Sequence, residues 1–149
     1  MRTKKIMPTT ILLVTLLLTI ALHFIWPINK FIPLPWNLLG VIPLASGIWI
    51  NLVADRAFHQ AQTTVKPFIE SNTLITDGSF RISRNPMYLG FVSILLGVAV
   101  LLGSLTPFLM IPIFALLIQR VYIRVEEQML EAKFGEQWEN YQKRVRRWL

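Results

Sequence analysis

A chain of 149 residues that is 54% hydrophobic, 15% charged and free of cysteine is too apolar to be an ordinary water-soluble domain. Soluble proteins average about 25% charged residues, and a domain this small keeps a large wetted surface. The missing cysteines exclude a disulfide framework and thiolate metal sites. Two histidines, His23 and His59, are too few for a His-rich centre, so no metal is expected.

The apolar residues fall into runs without Asp, Glu, Lys or Arg. Ile6 to Asn29 and Phe31 to Ala54 hold 24 residues each, enough for a helix to cross a hydrocarbon core of about 30 Å. Arg2, Lys4 and Lys5 precede the first run, but no small-x-small cleavage pattern follows it, so a retained anchor is expected rather than a cleaved signal. The third run, Asn85 to Gln119, is 35 residues long. It breaks at Gly103-Ser104-Leu105-Thr106-Pro107, a turn-rich stretch that predicts a tight hairpin between two short spans. Pro43 and Pro112 fall within spans, where kinks or local unwinding are expected.

The predicted fold is all-α: one integral-membrane helical bundle over 1–149, with a cytoplasmic amphipathic helix at its C-terminus. Four transmembrane helices are expected at about 7–26, 36–54, 87–102 and 107–125, with a cytoplasmic connection at 55–86 and a cytoplasmic tail at 126–149. Fourteen basic residues then lie on one side and one, Lys30, on the other. By the positive-inside rule both termini are cytoplasmic, and a bacterial plasma (inner) membrane is the expected location. The net charge of +7 thereby faces anionic lipid. No separable basic module with interleaved aromatics is present, so no nucleic-acid partner is expected.

Chemistry is therefore sought in the connection and the tail. The connection ends in Arg84-Asn85-Pro86-Met87-Tyr88-Leu89-Gly90. Pro86 suits a first helical turn, and Asn85 precedes it as the expected N-cap, its side chain accepting from a backbone N–H. One reading is a capped helix entrance with Arg84 at lipid phosphate. The other is an anion site at the helix start, with Tyr88 as an aromatic wall and Gly90 allowing close backbone approach. Further along span three, Ser93-x-x-x-Gly97 forms a small-residue face suited to helix packing.

At the exit of span four, Arg120, Arg124, Glu127 and Glu131 recur at helical steps that place them on one face. Gln119, Tyr122 and Glu126 occupy the adjacent one. Arg124 is positioned to pair with Glu127. Two adjacent glutamates where a helix leaves a membrane invite either a solvated juxtamembrane face or a site. In the tail, Phe134, Trp138, Tyr141 and Val145 form a stripe. It suits an interfacial helix or a cover over a cytoplasmic pocket. His59, one turn after Asp55, reads as a solvated helix face, and His23 as an interfacial residue.

Arg84-Asn85-Pro86-Met87-Tyr88-Leu89-Gly90, an apolar hairpin, Glu126-Glu127 and then Phe134-Gly135 with Tyr141 resemble the isoprenylcysteine carboxyl methyltransferase and phospholipid methyltransferase superfamily. That family pairs Arg-His-Pro-x-Tyr-x-Gly with a downstream Glu-Glu and a Phe-Gly-x5-Tyr tail. The resemblance covers roughly Leu74 to the C-terminus. It departs at Asn85, which stands where family enzymes often carry His and cannot act as a general base near neutral pH.

The resemblance implies an S-adenosylmethionine-dependent methyltransferase with a lipophilic acceptor drawn from the bilayer. An isoprenylcysteine-type carboxylate, a phospholipid amine and another small lipophile all fit the acceptor role. Arg84, Arg124 and Glu127 are the expected catalytic residues. The expected cofactor contacts are Asn85, Pro86, Tyr88, Leu89 and Gly90 at the helix entrance, with Glu126, Glu127 and Tyr141 opposite. No Gly-x-Gly-x-x-Gly loop is present, which excludes a Rossmann-type methyltransferase domain.

Three rivals belong to other classes. A proton-coupled exporter needs an acid inside a span, and every acid here lies between Asp55 and Asp77 or between Glu126 and Glu139. NADPH-dependent membrane reductases of related architecture are usually larger. A non-catalytic membrane scaffold is the main alternative.

Overall fold

The computed structural model describes residues 6–63 and 71–149. Lys66, counted above among the basic residues, lies outside them, as do Arg2, Lys4 and Lys5. Among the described residues the regular secondary structure is all helical, apart from one isolated β-bridge between Lys30 and Ser104. Helix α1 is Pro8–Ile25. A 3-10 turn at Trp36–Gly40 runs directly into α2, Val41–Gln60, and a second at Gly78–Arg81 precedes α3, Pro86–Leu102. Helix α4, Thr106–Ile118, passes through one π-helical turn, Gln119–Ile123, into α5, Arg124–Phe134. Helix α6 is Glu136–Arg144.

Three stretches are long and apolar enough to cross a membrane: Pro8–Ile25, Trp36–Gln60 and Thr106–Phe134. Pro86–Leu102 is a shorter apolar helix. At 1.5 Å per residue its 17 residues reach only about 26 Å. The bundle buries little of its apolar surface. Leu17, Phe24, Ile42, Trp49 and Ile113 are all exposed, which suits lipid and would be untenable in water. Trp26, Trp36 and Phe31 stand exposed at the hairpin end, where aromatic rings favour a lipid–water boundary.

The buried threonines of α1 are satisfied within their own helix. The buried hydroxyls of Thr15 and Thr19 donate back to the carbonyls of Ile11 and Thr15, one turn earlier, at 2.8 and 2.7 Å. At the predicted hairpin, Gly103 adopts φ +75°, and its N–H closes α3 on Ala99. The turn is then tied to the loop after α1. Thr106 donates to the Trp26 carbonyl at 2.6 Å, and Ser104 bonds His23 Nδ1 at 2.7 Å. His23 thus anchors the hairpin.

Helices α2 and α3 pack antiparallel along glycines. A Cβ added at Gly40 would sit 2.5 Å from the Gly97 carbonyl oxygen, and one at Gly47 would sit 2.5 Å from that of Gly90. Between these points Ser93 donates to the Pro43 carbonyl at 2.7 Å. The small-residue face of α3 thus serves close helix packing. Pro43 lies in the first turn of α2, where the missing N–H leaves no gap. Pro112 lies inside α4, upstream of the π turn.

Two apolar clusters result. One runs through the bundle and includes Leu12, Tyr88, Phe91, Leu95, Phe114 and Tyr122. The other gathers Ala54, Phe80, Trp138, Tyr141 and Val145 where α2, α3 and α6 meet. Of the two readings of the tail stripe, the structure takes the inward one. Trp138 is 1% exposed, and α6 lies against the protein instead of presenting its aromatics to a lipid surface. Gly135, at φ +47°, allows the chain to turn back between α5 and α6.

Candidate functional site

The start of α3 and the exit of α4 into α5 come together. Tyr88, two residues into α3, donates its hydroxyl to Glu126 Oε1 at 2.7 Å. Glu127, on the next step of α5, is buried and meets Arg84 Nη2 at 3.2 Å and Arg147 Nη2 at 2.6 Å. Between these elements lies a cavity of about 220 Å³. Arg84, Asn85, Pro86, Tyr88, Glu126 and Glu127 line one part of it; Phe58, Phe80, Trp138, Tyr141, Met129 and Leu130 supply aromatic and apolar walls. Met7, Pro8 and Thr9 contribute from the start of α1, and Lys133 from α5.

Arg84 is held from several directions. Its guanidinium lies 5.6 Å over the Trp138 ring, a cation–π contact. With its amide oxygen turned towards them, Gln142 accepts from Arg84 Nη1 at 2.9 Å and from Trp138 Nε1 at 2.8 Å. Arg84 Nε is buried without a hydrogen-bond partner, a donor left for a further acceptor. Tyr141 donates to the Phe80 carbonyl at 2.7 Å. Burial pushes its phenol above the ordinary range, and the nearby Arg84 charge pulls the other way. The hydrogen bond to Glu127 holds the Arg147 guanidinium above its usual range, against the pull of desolvation.

Several expected placements change. The Asn85 side chain makes no capping bond to α3. Its Nδ2 donates instead to the Arg147 carbonyl at 3.2 Å, because the C-terminal segment crosses the helix start there. The first intrahelical bond of α3 runs from Leu89 N–H to the Asn85 carbonyl, leaving the Met87 and Tyr88 N–H groups ahead of it.

Gly90 admits close backbone approach, but to α2: an added Cβ would meet Asn51 Nδ2 at 2.1 Å and the Gly47 carbonyl at 2.8 Å. Neither Gly90 nor Leu89 lines the cavity. Arg124 is exposed and lies outside it, in an open recess shared with Glu127, Glu131 and Arg147. The single face drawn through Arg120, Arg124, Glu127 and Glu131 therefore splits: Glu127 is buried and the other three are exposed. The π turn shifts register just ahead of α5. Glu127 takes its partners from α3 and the C-terminal segment. His59 pairs with Asp55 at 3.5 Å on a solvated face.

Arg147, Trp148 and Phe80 carried no role in the sequence reading. The Arg147 guanidinium bonds both oxygens of Glu127, and Trp148 Nε1 donates to Gln119 Oε1 at 3.0 Å. Only the basic residues Lys143, Arg144, Arg146 and Arg147 near the end of the sequence hinted at the first of these.

The fold and this cavity define a multi-pass helical membrane protein with a polar, aromatic-walled hollow at one end of its bundle. The chain belongs to the phospholipid methyltransferase family, whose model matches residues 36–137, and so to the membrane methyltransferases of that superfamily. Over 63 residues it is 43% identical to an uncharacterized protein of Haemophilus influenzae, covering 42% of this chain and all of that one. Over 79 residues it is 34% identical to the Protein-S-isoprenylcysteine O-methyltransferase of Schizosaccharomyces pombe. That stretch is 51% of this chain but 32% of the yeast protein. No solved structure matches.

Proposed function

We propose that the protein transfers a methyl group from S-adenosylmethionine to a lipophilic acceptor reaching the cavity from the bilayer. The observation that carries this reading is the joining of Arg84 and Tyr88 with Glu126 and Glu127 around a hollow walled by Phe80, Trp138 and Tyr141. The residues present fit the donor. The cavity offers carboxylates for an ammonium, and a buried arginine whose Nε lacks a partner for a carboxylate. Its aromatic rings suit a purine. When bound, the donor supplies an electrophilic methyl on a sulfonium.

In this reading Arg84 and the Met87 and Tyr88 N–H groups meet the donor carboxylate, and the Glu126–Glu127 pair meets its ammonium. Tyr88 fixes the rotamer of Glu126, while Trp138 and Tyr141 flank the adenosine. Leu89, Gly90 and Arg124 are not assigned contacts. In-line displacement needs alignment and exclusion of water more than it needs a base. An acceptor carboxylate requires no proton transfer, and Asn85 supplies none. An acceptor amine would lose its proton to a carboxylate such as Glu126 or to water. The partners are membrane lipids and that acceptor, with the cavity on the cytoplasmic side of a bacterial plasma membrane.

Equilibrium dialysis of detergent-purified protein against labelled S-adenosylmethionine tests the proposal. Saturable binding is expected, weakened far more by Glu127→Ala than by Glu139→Ala. Equal effects from the two substitutions would overturn the placement. NADPH binding without methyl-donor binding would overturn the function. A labelled-methyl transfer assay on total membranes, followed by chromatography, then identifies the acceptor.

A further inference from the structure

Residues beyond α6 return across the end of the bundle. Val145 is buried in the cluster with Phe80 and Trp138, while Trp148 packs against the cluster through the bundle. Between them the backbone crosses the entrance of α3. The Arg146 carbonyl accepts the Arg84 N–H at 3.0 Å. The Arg147 carbonyl accepts from Ser83 Oγ at 3.1 Å and from Asn85 Nδ2 at 3.2 Å. Ser83 is fully buried, and its hydroxyl also accepts the Asn85 N–H.

The Arg147 side chain then reaches Glu127. Its Nε lies 3.2 Å from each carboxylate oxygen, and its Nη2 lies 2.6 Å from Oε2. Glu127 lines the cavity and Arg147 does not. Two guanidinium groups share one buried carboxylate: Arg84 on the cavity side, and Arg147 across the adjoining recess. A planar fork fixes a carboxylate in orientation as well as in charge, which an ammonium does less well.

We infer that Arg147 is a positioning residue of the donor site, acting through Glu127, and that the segment 145–148 is a structural member of that site. This rests on the proposed donor-binding function. Arg147 sets the plane of the Glu127 carboxylate, and Glu127 in turn holds Arg84 beside the cavity. Glu126, held by Tyr88 and not by Arg147, keeps its place independently.

The test is labelled S-adenosylmethionine binding to the 149-residue chain in detergent. The variants are Arg147→Ala, Arg147→Lys and Glu127→Gln, the double variant Arg147→Ala/Glu127→Gln, and Arg144→Ala as a control at the end of α6. Arg147→Ala keeps the backbone carbonyl that Ser83 and Asn85 use, so it probes the side chain alone. It is expected to weaken binding about tenfold, with Arg147→Lys in between and Arg144→Ala unchanged. In the Glu127→Gln background the same substitution is expected to have almost no further effect, because its route is already cut.

An equal loss from Arg147→Ala in both backgrounds would overturn the inference in favour of a purely structural arginine. So would wild-type affinity in Arg147→Ala. Should Arg147→Ala fail to fold, full affinity in Arg147→Lys overturns the inference and a partial loss supports it. Absence of saturable binding by the wild-type protein would instead sink the functional proposal on which this one rests.

Discussion

Two seams meet on α3, and they are held by different physics. Along its length α3 packs on α2 through Gly40, Gly47, Gly90 and Gly97, backbone against backbone, with uncharged hydrogen bonds such as those of Ser93 to the Pro43 carbonyl and to Ser46 as the polar links close to them. At its start, α3 meets α5, α6 and the C-terminal segment through Arg84, Glu126, Glu127, Arg147 and a set of aromatic rings. The first seam depends on shape and tolerates no added atoms. The second depends on charge pairing and tolerates no deleted partner. Close packing without ionisable groups suits the interior of an apolar solvent. Paired charges around a hollow suit the binding of a ligand that itself carries charges of both signs.

Substitutions separate the two. The largest expected effect is from Glu127→Ala, which leaves Arg84, 11% exposed at its side chain, without its carboxylate. Breaking such a pair costs about 3–5 kcal/mol, and donor binding should fall with it; thermal unfolding in detergent and dialysis read the two losses. Trp138→Ala removes a side chain that is 1% exposed and the ring beneath Arg84. A loss of about 3–5 kcal/mol is expected, again with weakened binding.

Gly40→Ala tests the other seam. Its Cβ would meet the Gly97 carbonyl at 2.5 Å, and overpacking of this kind costs about 1–3 kcal/mol. The folded fraction should bind the donor with unchanged affinity, so a matching loss of affinity would show that the seams are coupled. Tyr141→Phe deletes the hydrogen bond to the Phe80 carbonyl, worth about 1 kcal/mol in the same unfolding measurement. Asp55→Asn touches only the exposed contact with His59, and a change within about 0.5 kcal/mol is expected.

The sequence ordered the molecule well where a rule depends on neighbouring residues. Gly103 marked the hairpin because a left-handed residue ends a helix there. Pro86 marked the start of α3, and Ser93 with Gly97 marked a packing face. Long-range partners were less legible. Spacing of three favoured Arg124 as the mate of Glu127. The observed mates are Arg84 and Arg147, and Arg147, twenty residues away, arrives because the chain reverses at Gly135 and then crosses the start of α3. For the same reason Asn85, expected as a cap, bonds the returning segment.

What the amino-acid order alone determined was the apolar character, the all-helical architecture and the two charged stretches, at Arg84 and at Glu126-Glu127, that flank the apolar hairpin. These follow from local periodicity and from the energy of placing charge near lipid. Which glutamate is clasped and by which arginine, whether the tail stripe faces lipid or protein, and that Gly90 serves α2 were decided by tertiary structure alone. The first two choices turn on how one π turn and one positive-φ glycine aim the chain, and the third on the close approach of α2 to α3; no spacing rule carries that information between distant segments.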